Sequence, residues 1–310
     1  MPTITIYSER LRVSIAPDLG AGIADLSLQG PAKFFYPLMR RAGQDETNPS
    51  ALGSFFMAPW VNRIGGGKFR FQGREIVLRA NGADGTAMHG DVRARPWTLL
   101  DRSPQSVRLA FDSRKHKDVN WPWPFVCEAR YELAPTGLTL DLSVQNCGDT
   151  PMPAGCGHHP YFARRLWRED DVLQLRAVVS GQYPMKASLP TGPAAANDLT
   201  VRLATLSNWP DTPLDDVFAG LKGPVELHWS GSRVTLRMIV SENLGHLVLF
   251  GPNAEAGKSS ALPFVAVEPQ SQVNNALHLL DQGDFSQGTA ILGPGETLRT
   301  SCRFEVEAHG

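Results

Sequence analysis

Apolar and polar residues alternate at two-residue spacing along most of this chain, with tight-turn signals between the runs. No other feature restricts the fold as much. That spacing sends one side of an extended chain into a core and the other toward water. In Lys68–Arg79 the runs KFRF and REIV flank the pair Gln72-Gly73, which signals a hairpin. Phe125–Asn146 repeats the plan as CEARYEL, the turn Ala134-Pro-Thr-Gly137, and LTLDLSV. VELHW, Ser230-Gly-Ser232 and RVTLRMIV form a third case, and TAIL, Gly293-Pro-Gly295 and LRTSCRFEVEA predict a fourth at the C-terminal end. All four are expected to be antiparallel strands joined by tight turns.

Helical signals are few. Asp198–Asn208 (DLTVRLATLSN) reads as a short helix or a strand, and no long amphipathic pattern or βαβ alternation appears. The 29 Gly and 24 Pro among 310 residues suit many short strands and turns. The polar stretches Arg40–Ser50 and Asn253–Ser260 are expected to be mobile loops, and neither resembles a domain linker. The expected architecture is all-β: a large antiparallel β-sandwich, with residues 1–310 as a single domain.

Charge narrows the partners. Lys plus Arg total 30 against 31 Asp plus Glu, a net charge of -1. A nucleic acid or an anionic membrane calls for a basic excess, so neither is expected. No apolar run approaches the roughly 18 residues of a membrane span, and MPTITIYSERLRVSIAPDLG lacks a signal-peptide layout. The cytoplasm is the expected location. Cys127, Cys147, Cys156 and Cys302 show no CxxC spacing, so free thiols are expected rather than zinc ligands.

Polar residues that interrupt the β pattern beside Gly or Pro mark the candidate chemistry. Asn62 and Arg63 precede three glycines, where a guanidinium fork and a close backbone approach suit a ligand; a turn Asn and a surface Arg are the plainer reading. The glycine run lacks the Lys-Ser/Thr ending of a phosphate loop. His89 stands before Gly90, where a structural histidine is common. His158 and His159 are neighbours, so on an extended chain they face opposite ways and seldom share a metal; one of them suits proton transfer. Asp215 and Asp216 are subject to the same geometry, so at most one enters a pocket. FVAV runs into Glu268-Pro269-Gln270, and a glutamate ending a buried strand gains a raised pKa and serves as a general base.

Together these motifs resemble the aldose 1-epimerase (galactose mutarotase) family. Asn62-Arg63-Ile64, His89-Gly90, His159-Pro160-Tyr161-Phe162, Leu214-Asp215 and Glu268-Pro269-Gln270 occur in that family's order and approximate spacing. LRVSIAPDLGAGIADLSL resembles its first hairpin. The resemblance implies a β-supersandwich that interconverts the α and β anomers of a free hexose such as galactose or glucose. It implies Glu268 as general base and His159 as general acid. Arg63, His89, Asp215 and Asn62 would contact the sugar, a small-molecule aldose, with no cofactor or metal.

Two departures bear on the substrate. Asp91 follows His89-Gly90 where a second glycine is common, and Gln270 leads into SQVNNAL. A hexose-phosphate 1-epimerase is the alternative, since Arg63, Arg93 and Arg95 are available for an anion. A non-catalytic sugar-binding module is a third reading, weakened by retention of both Glu268 and His159.

Overall fold

The structure is a computed structural model; it describes residues 1–251, 262–284 and 286–309. The Asn253–Ser260 stretch lies outside the described residues. Alternating burial builds the largest sheet. Every second residue of Phe125–Ala134, from Phe125 to Leu133, is buried, and its partner Gly137–Asn146 runs antiparallel with Cys127 opposite Val144. Among the described residues this sheet has nine strands, ordered Thr98–Arg102, Ser106–Asp112, Phe125–Ala134, Gly137–Asn146, Thr297–Ala308, Val234–Val240, Lys222–Trp229, Leu173–Val178 and Ser207–Asn208.

A second sheet runs Gly181–Gln182, Leu214–Ala219, His246–Gly251, Phe264–Gln270, Gly157–His158 and Phe56–Met57, with Tyr161–Ala163 also paired to Phe264–Gln270. It packs on the first through one apolar layer. Phe218, Leu247, Leu249, Val265 and Val267 join the same buried cluster as Leu140, Leu236, Phe304 and Val306. Phe162 meets Phe304 edge-on at 6.0 Å between centroids. The architecture is all-β with antiparallel pairing throughout, as the alternation predicts. The two α-helices among the described residues, Asp198–Leu203 and Ala276–Asp281, have six residues each. Neither is long or apolar enough to cross a membrane. Asp198–Asn208 is thus both things in turn: a helix capped by Asn197, then the strand Ser207–Asn208.

Three predicted hairpins form. Gln72 and Gly73 turn Lys68–Phe71 back onto Arg74–Val77 with φ of 49° and 78°, the left-handed pair that a two-residue hairpin turn needs. The C-terminal one does not form. Ala290–Leu292 pairs with Met152–Ala154, while Thr297–Ala308 pairs with Gly137–Asn146 and Val234–Val240. The Gly293-Pro-Gly295 turn therefore passes the chain between sheets instead of closing a ribbon. All four cysteines are free thiols, three of them buried.

The Arg40–Ser50 segment is not the loose loop its polarity suggests. Arg41 Nε donates to Asp25 Oδ1 at 3.1 Å, and Arg40 donates to the Leu52 carbonyl from Nε at 3.1 Å and from Nη2 at 2.7 Å. Backbone carbonyls and a buried carboxylate, unseen in local sequence, fasten it.

Candidate functional site

Strand register decides which side chains meet. Phe264–Gln270 is buried on both faces, with Val265 and Val267 turned into the layer between the sheets. Its alternate residues Ala266, Glu268 and Gln270 stand on the other face. Val248 lies opposite both Glu268 and Val217, and Phe250 lies opposite both Ala266 and Asp215. Asp215 therefore shares a face with Glu268, at the exposed rim, where Ser188 Oγ donates to its Oδ2 at 3.4 Å. Asp216 turns the other way and accepts from Gln182 Nε2 at 2.7 Å.

His159 sits where Gly157–His158 gives way to Tyr161–Ala163, its backbone N–H donating to the Phe55 carbonyl at 3.0 Å. Its ring is packed by Phe55 and Tyr161, each at 4.5 Å between centroids, and meets His89 edge-on at 5.3 Å. His159 Nε2 lies 3.0 Å from Glu268 Oε1, with both side chains almost wholly buried. The Tyr161 hydroxyl is 3.4 Å from the same nitrogen. Glu268 Oε2 and His159 Nδ1 are buried without a protein partner. Such atoms cost roughly 1–3 kcal/mol each when left unpaired.

The electrostatics follow from that burial. Desolvation holds the Glu268 carboxyl well above the usual carboxylate range, reinforced by the charge of Asp215 and opposed by Arg63. Desolvation holds His159 well below the usual imidazole value, and Arg93 and Arg40 push it the same way. Both shifts disfavour charge, so the pair is disposed to hold one titratable proton between carboxylate and imidazole, movable in either direction. His158 has the other environment. It is fully buried edge-on to Phe56 at 5.3 Å, neither ring nitrogen is hydrogen-bonded, and burial pushes it down to about 4.

The Asn62-Arg63 and His89-Gly90 motifs are joined in space by the pairing of Arg63 with Met88 and of Ile64 with Ala87. The His89 N–H donates to the Asn62 carbonyl at 2.7 Å. Asn62 and His89 both adopt left-handed backbone, φ 44° and 61°, a conformation costing of order 1–3 kcal/mol that concentrates at functional sites. At Gly90, φ is 72° and an added Cβ would meet the Ala58 carbonyl oxygen at 2.1 Å, so no other residue fits. Arg63 Nη1 donates to Asn62 Oδ1 at 3.2 Å and Nε to Asp84 Oδ2 at 3.1 Å, which aims the guanidinium. His89 is kept neutral by burial and then by the charges of His159, Arg93 and Arg63; its Nδ1 is 3.1 Å from Met57 Sδ.

The structure thus brings Glu268, His159 and His89 into one cluster with Asn62 and Arg63 beside it and Asp215 on its rim. Of the arginines considered for an anion, two are engaged. Arg63 pairs with Asp84, and Arg95 pairs with Asp91 and Asp118. Asp91 is thereby a clamp on Arg95, while Gln270 lies on the Glu268 face with both ends of its amide buried and unpartnered. Sequence reasoning missed Phe55 and Arg40. The doublet Phe55-Phe56 splitting across a sheet was a usable signal for the first; for Arg40 there was none. Among the described residues no group of three or more His, Cys, Asp or Glu is placed to hold a metal ion.

Known proteins share this arrangement of chain. The sequence model of one family, Aldose 1-epimerase, matches residues 2–305. The uncharacterized protein YphB of Escherichia coli K12 is 24% identical over 277 residues, 87% of this chain and 89% of that one. The uncharacterized protein YihR of the same organism is 33% identical over 157 residues, 50% of this chain; the chain spans about half, 48%, of its length. A galactose mutarotase-like protein from Clostridium acetobutylicum superposes with a TM-score of 0.85 at 20% identity, over 99% of this chain and 95% of that one.

Proposed function

As the chain belongs to the aldose 1-epimerase family, we propose that it interconverts the α and β anomers of a free hexose by acid–base opening and reclosure of the ring. The observation that carries this reading is the buried 3.0 Å contact between Glu268 Oε1 and His159 Nε2, on the face that Arg63, His89 and Asp215 surround. The anomeric O1 and the ring oxygen O5 are both bonded to C1. One group must therefore take the O1 proton while a close neighbour delivers one to O5.

Glu268 is the base and His159 the acid. Glu268 accepts the proton of O1–H, the C1–O5 bond breaks as His159 protonates O5, and C1 becomes an aldehyde carbon. Rotation about C1–C2 presents the carbonyl's other face. His159 then takes back the O5 proton, O5 attacks C1, and Glu268 returns its proton to O1. Each group ends as it began. Burial makes ionised Glu268 a stronger base than a solvated carboxylate and protonated His159 a stronger acid than a solvated imidazolium, which suits the two roles. Arg63, Asn62 and Asp215 hold hydroxyls, and neutral His89 lies beside the acid as a hydrogen-bonding partner near O5.

Polarimetry of freshly dissolved α-glucose and α-galactose tests the reading. The expected result is a protein-dependent approach to the anomeric equilibrium that survives dialysis against EDTA, because the steps move protons alone. Its kcat/KM should be bell-shaped in pH, with apparent values belonging to the pair. Rotation relaxing at the uncatalysed rate for every aldose tried would overturn it.

A further inference from the structure

We propose that Gln270 is a positioning residue for the base: its amide donates through one bound water to Glu268 Oε2 and holds the carboxylate ready for O1. This role rests on the mutarotase reading above. The strand Phe264–Gln270 carries both residues on one face, two positions and so about 7 Å apart along the chain. Pro269 stands between them with a ring-locked φ, which stiffens that spacing. Gln270 lies deeper than the pair it serves, with 0% exposure against 2% for Glu268 and 5% for His159. Its register partners are His246 on one side and Gly157 on the other. A Cβ at Gly157 would meet the Gln270 Cβ at 2.8 Å, so a side chain there would crowd the amide out.

Three buried polar atoms on this face have no protein partner: Glu268 Oε2, Gln270 Oε1 and Gln270 Nε2. An amide that bonds to no group of the chain holds no part of the fold together. Beside a carboxylate oxygen, its two ends supply the partners that a buried water needs. The chemistry fixes the direction. An ionised carboxylate only accepts, so the water accepts from Gln270 Nε2 and donates to Glu268 Oε2. That oxygen offers two acceptor positions and takes the sugar's O1–H on the other, while Oε1 faces His159 Nε2 at 3.0 Å. The titratable groups acting on Glu268 are His159, Tyr161, Asp215 and Arg63. His246, behind Gln270, is pushed down to about 4 by burial and is neutral at neutral pH. Gln270 therefore supports the ionised base with a donor whose strength does not change with pH.

The test follows the Glu268 carboxyl and the kinetics together. Infrared difference spectra across a pH titration report the protonated carboxyl, its band assigned by its loss in E268Q. Q270M keeps the length and removes donor and acceptor, so the band should titrate about one pH unit higher than in the wild type. Its kcat for mutarotation should fall about tenfold, with KM changed less than about twofold, because the amide does not touch the sugar. Q270N keeps an amide and should recover part of both. Should Q270M not fold, the wild type decides: the Gln270 side-chain amide nitrogen resonance should move with the Glu268 titration. A resonance that stays fixed overturns the proposal. So does folded Q270M with an unshifted Glu268 band and unchanged kcat. A raised KM at unchanged kcat overturns it too, and makes Gln270 a sugar contact. All three failures leave the mutarotase reading intact, whereas wild-type protein that mutarotates no aldose rejects that reading and this role with it.

Discussion

Two doublets, Phe55-Phe56 and His158-His159, are divided by the same sheet, and the two sides could hardly differ more. On the inner side His158 lies against Phe56, unbonded and neutral, within the apolar layer. On the outer side His159 lies against Phe55, in contact with Glu268 and within the field of two arginines. Identical side chains one position apart become core filler and candidate acid because extended backbone turns successive residues to opposite faces. Composition of a motif therefore says less than its register.

The sharpest way to break this contrast is at Glu268. E268Q keeps the shape and removes the basicity, so kcat for mutarotation should fall about 10²–10⁴-fold, with far-UV circular dichroism unchanged. A variant keeping more than half of wild-type kcat removes Glu268 from the mechanism. The histidines come next. H159N should lower kcat by at least about tenfold, while H158N should act on stability and leave kcat of the folded protein near wild type. The larger kcat loss at His158 would reverse the two faces.

The inner histidine has its own signature in pH. Its folded value of about 4 lies below the ordinary value of an unfolded chain. Between the two the unfolded state binds more protons, so stability falls as pH drops through about 6.5 toward 4, by up to about 3 kcal/mol. Urea midpoints at about pH 7.5 and about pH 5 should diverge for the wild type. They should diverge less for H158L, which has no group to titrate there; His246, also pushed down to about 4, keeps part of the slope. An equal slope in H158L would show that His158 is not the group concerned. The smallest effect separates the aspartates: D215N should raise KM by about twofold to tenfold, and D216N, facing away from Glu268, should not change it.

How much of this was legible depended on the range of the cause. Alternation and turn chemistry are local, so three hairpins and the sheet-rich fold could be read directly. The fourth hairpin failed because Ala290–Leu292 found a better partner in Met152–Ala154, a choice made by the assembled sheets. Glu268, His159 and Asp215 stood out as polar residues at the ends or within apolar runs. Arg40 did not, since its partners are the carbonyls of residues ten and twelve positions on and a ring more than a hundred positions away. Arg63 and Arg95 looked as free as Arg93; their carboxylates are visible only in three dimensions.

Glu268 projects from an interior strand that is hydrogen-bonded on both edges, to His246–Gly251 on one side and to Gly157–His158 and Tyr161–Ala163 on the other. A residue sewn into the lattice at both margins cannot be relocated without unpicking the sheet. Arg40, Arg93 and Asp91, by contrast, hang from connecting segments that exchange and lengthen without touching that lattice. The scaffold divides constraint accordingly: strand pairing on both sides fixes where Glu268 stands, and connecting segments set where Arg40, Arg93 and Asp91 stand.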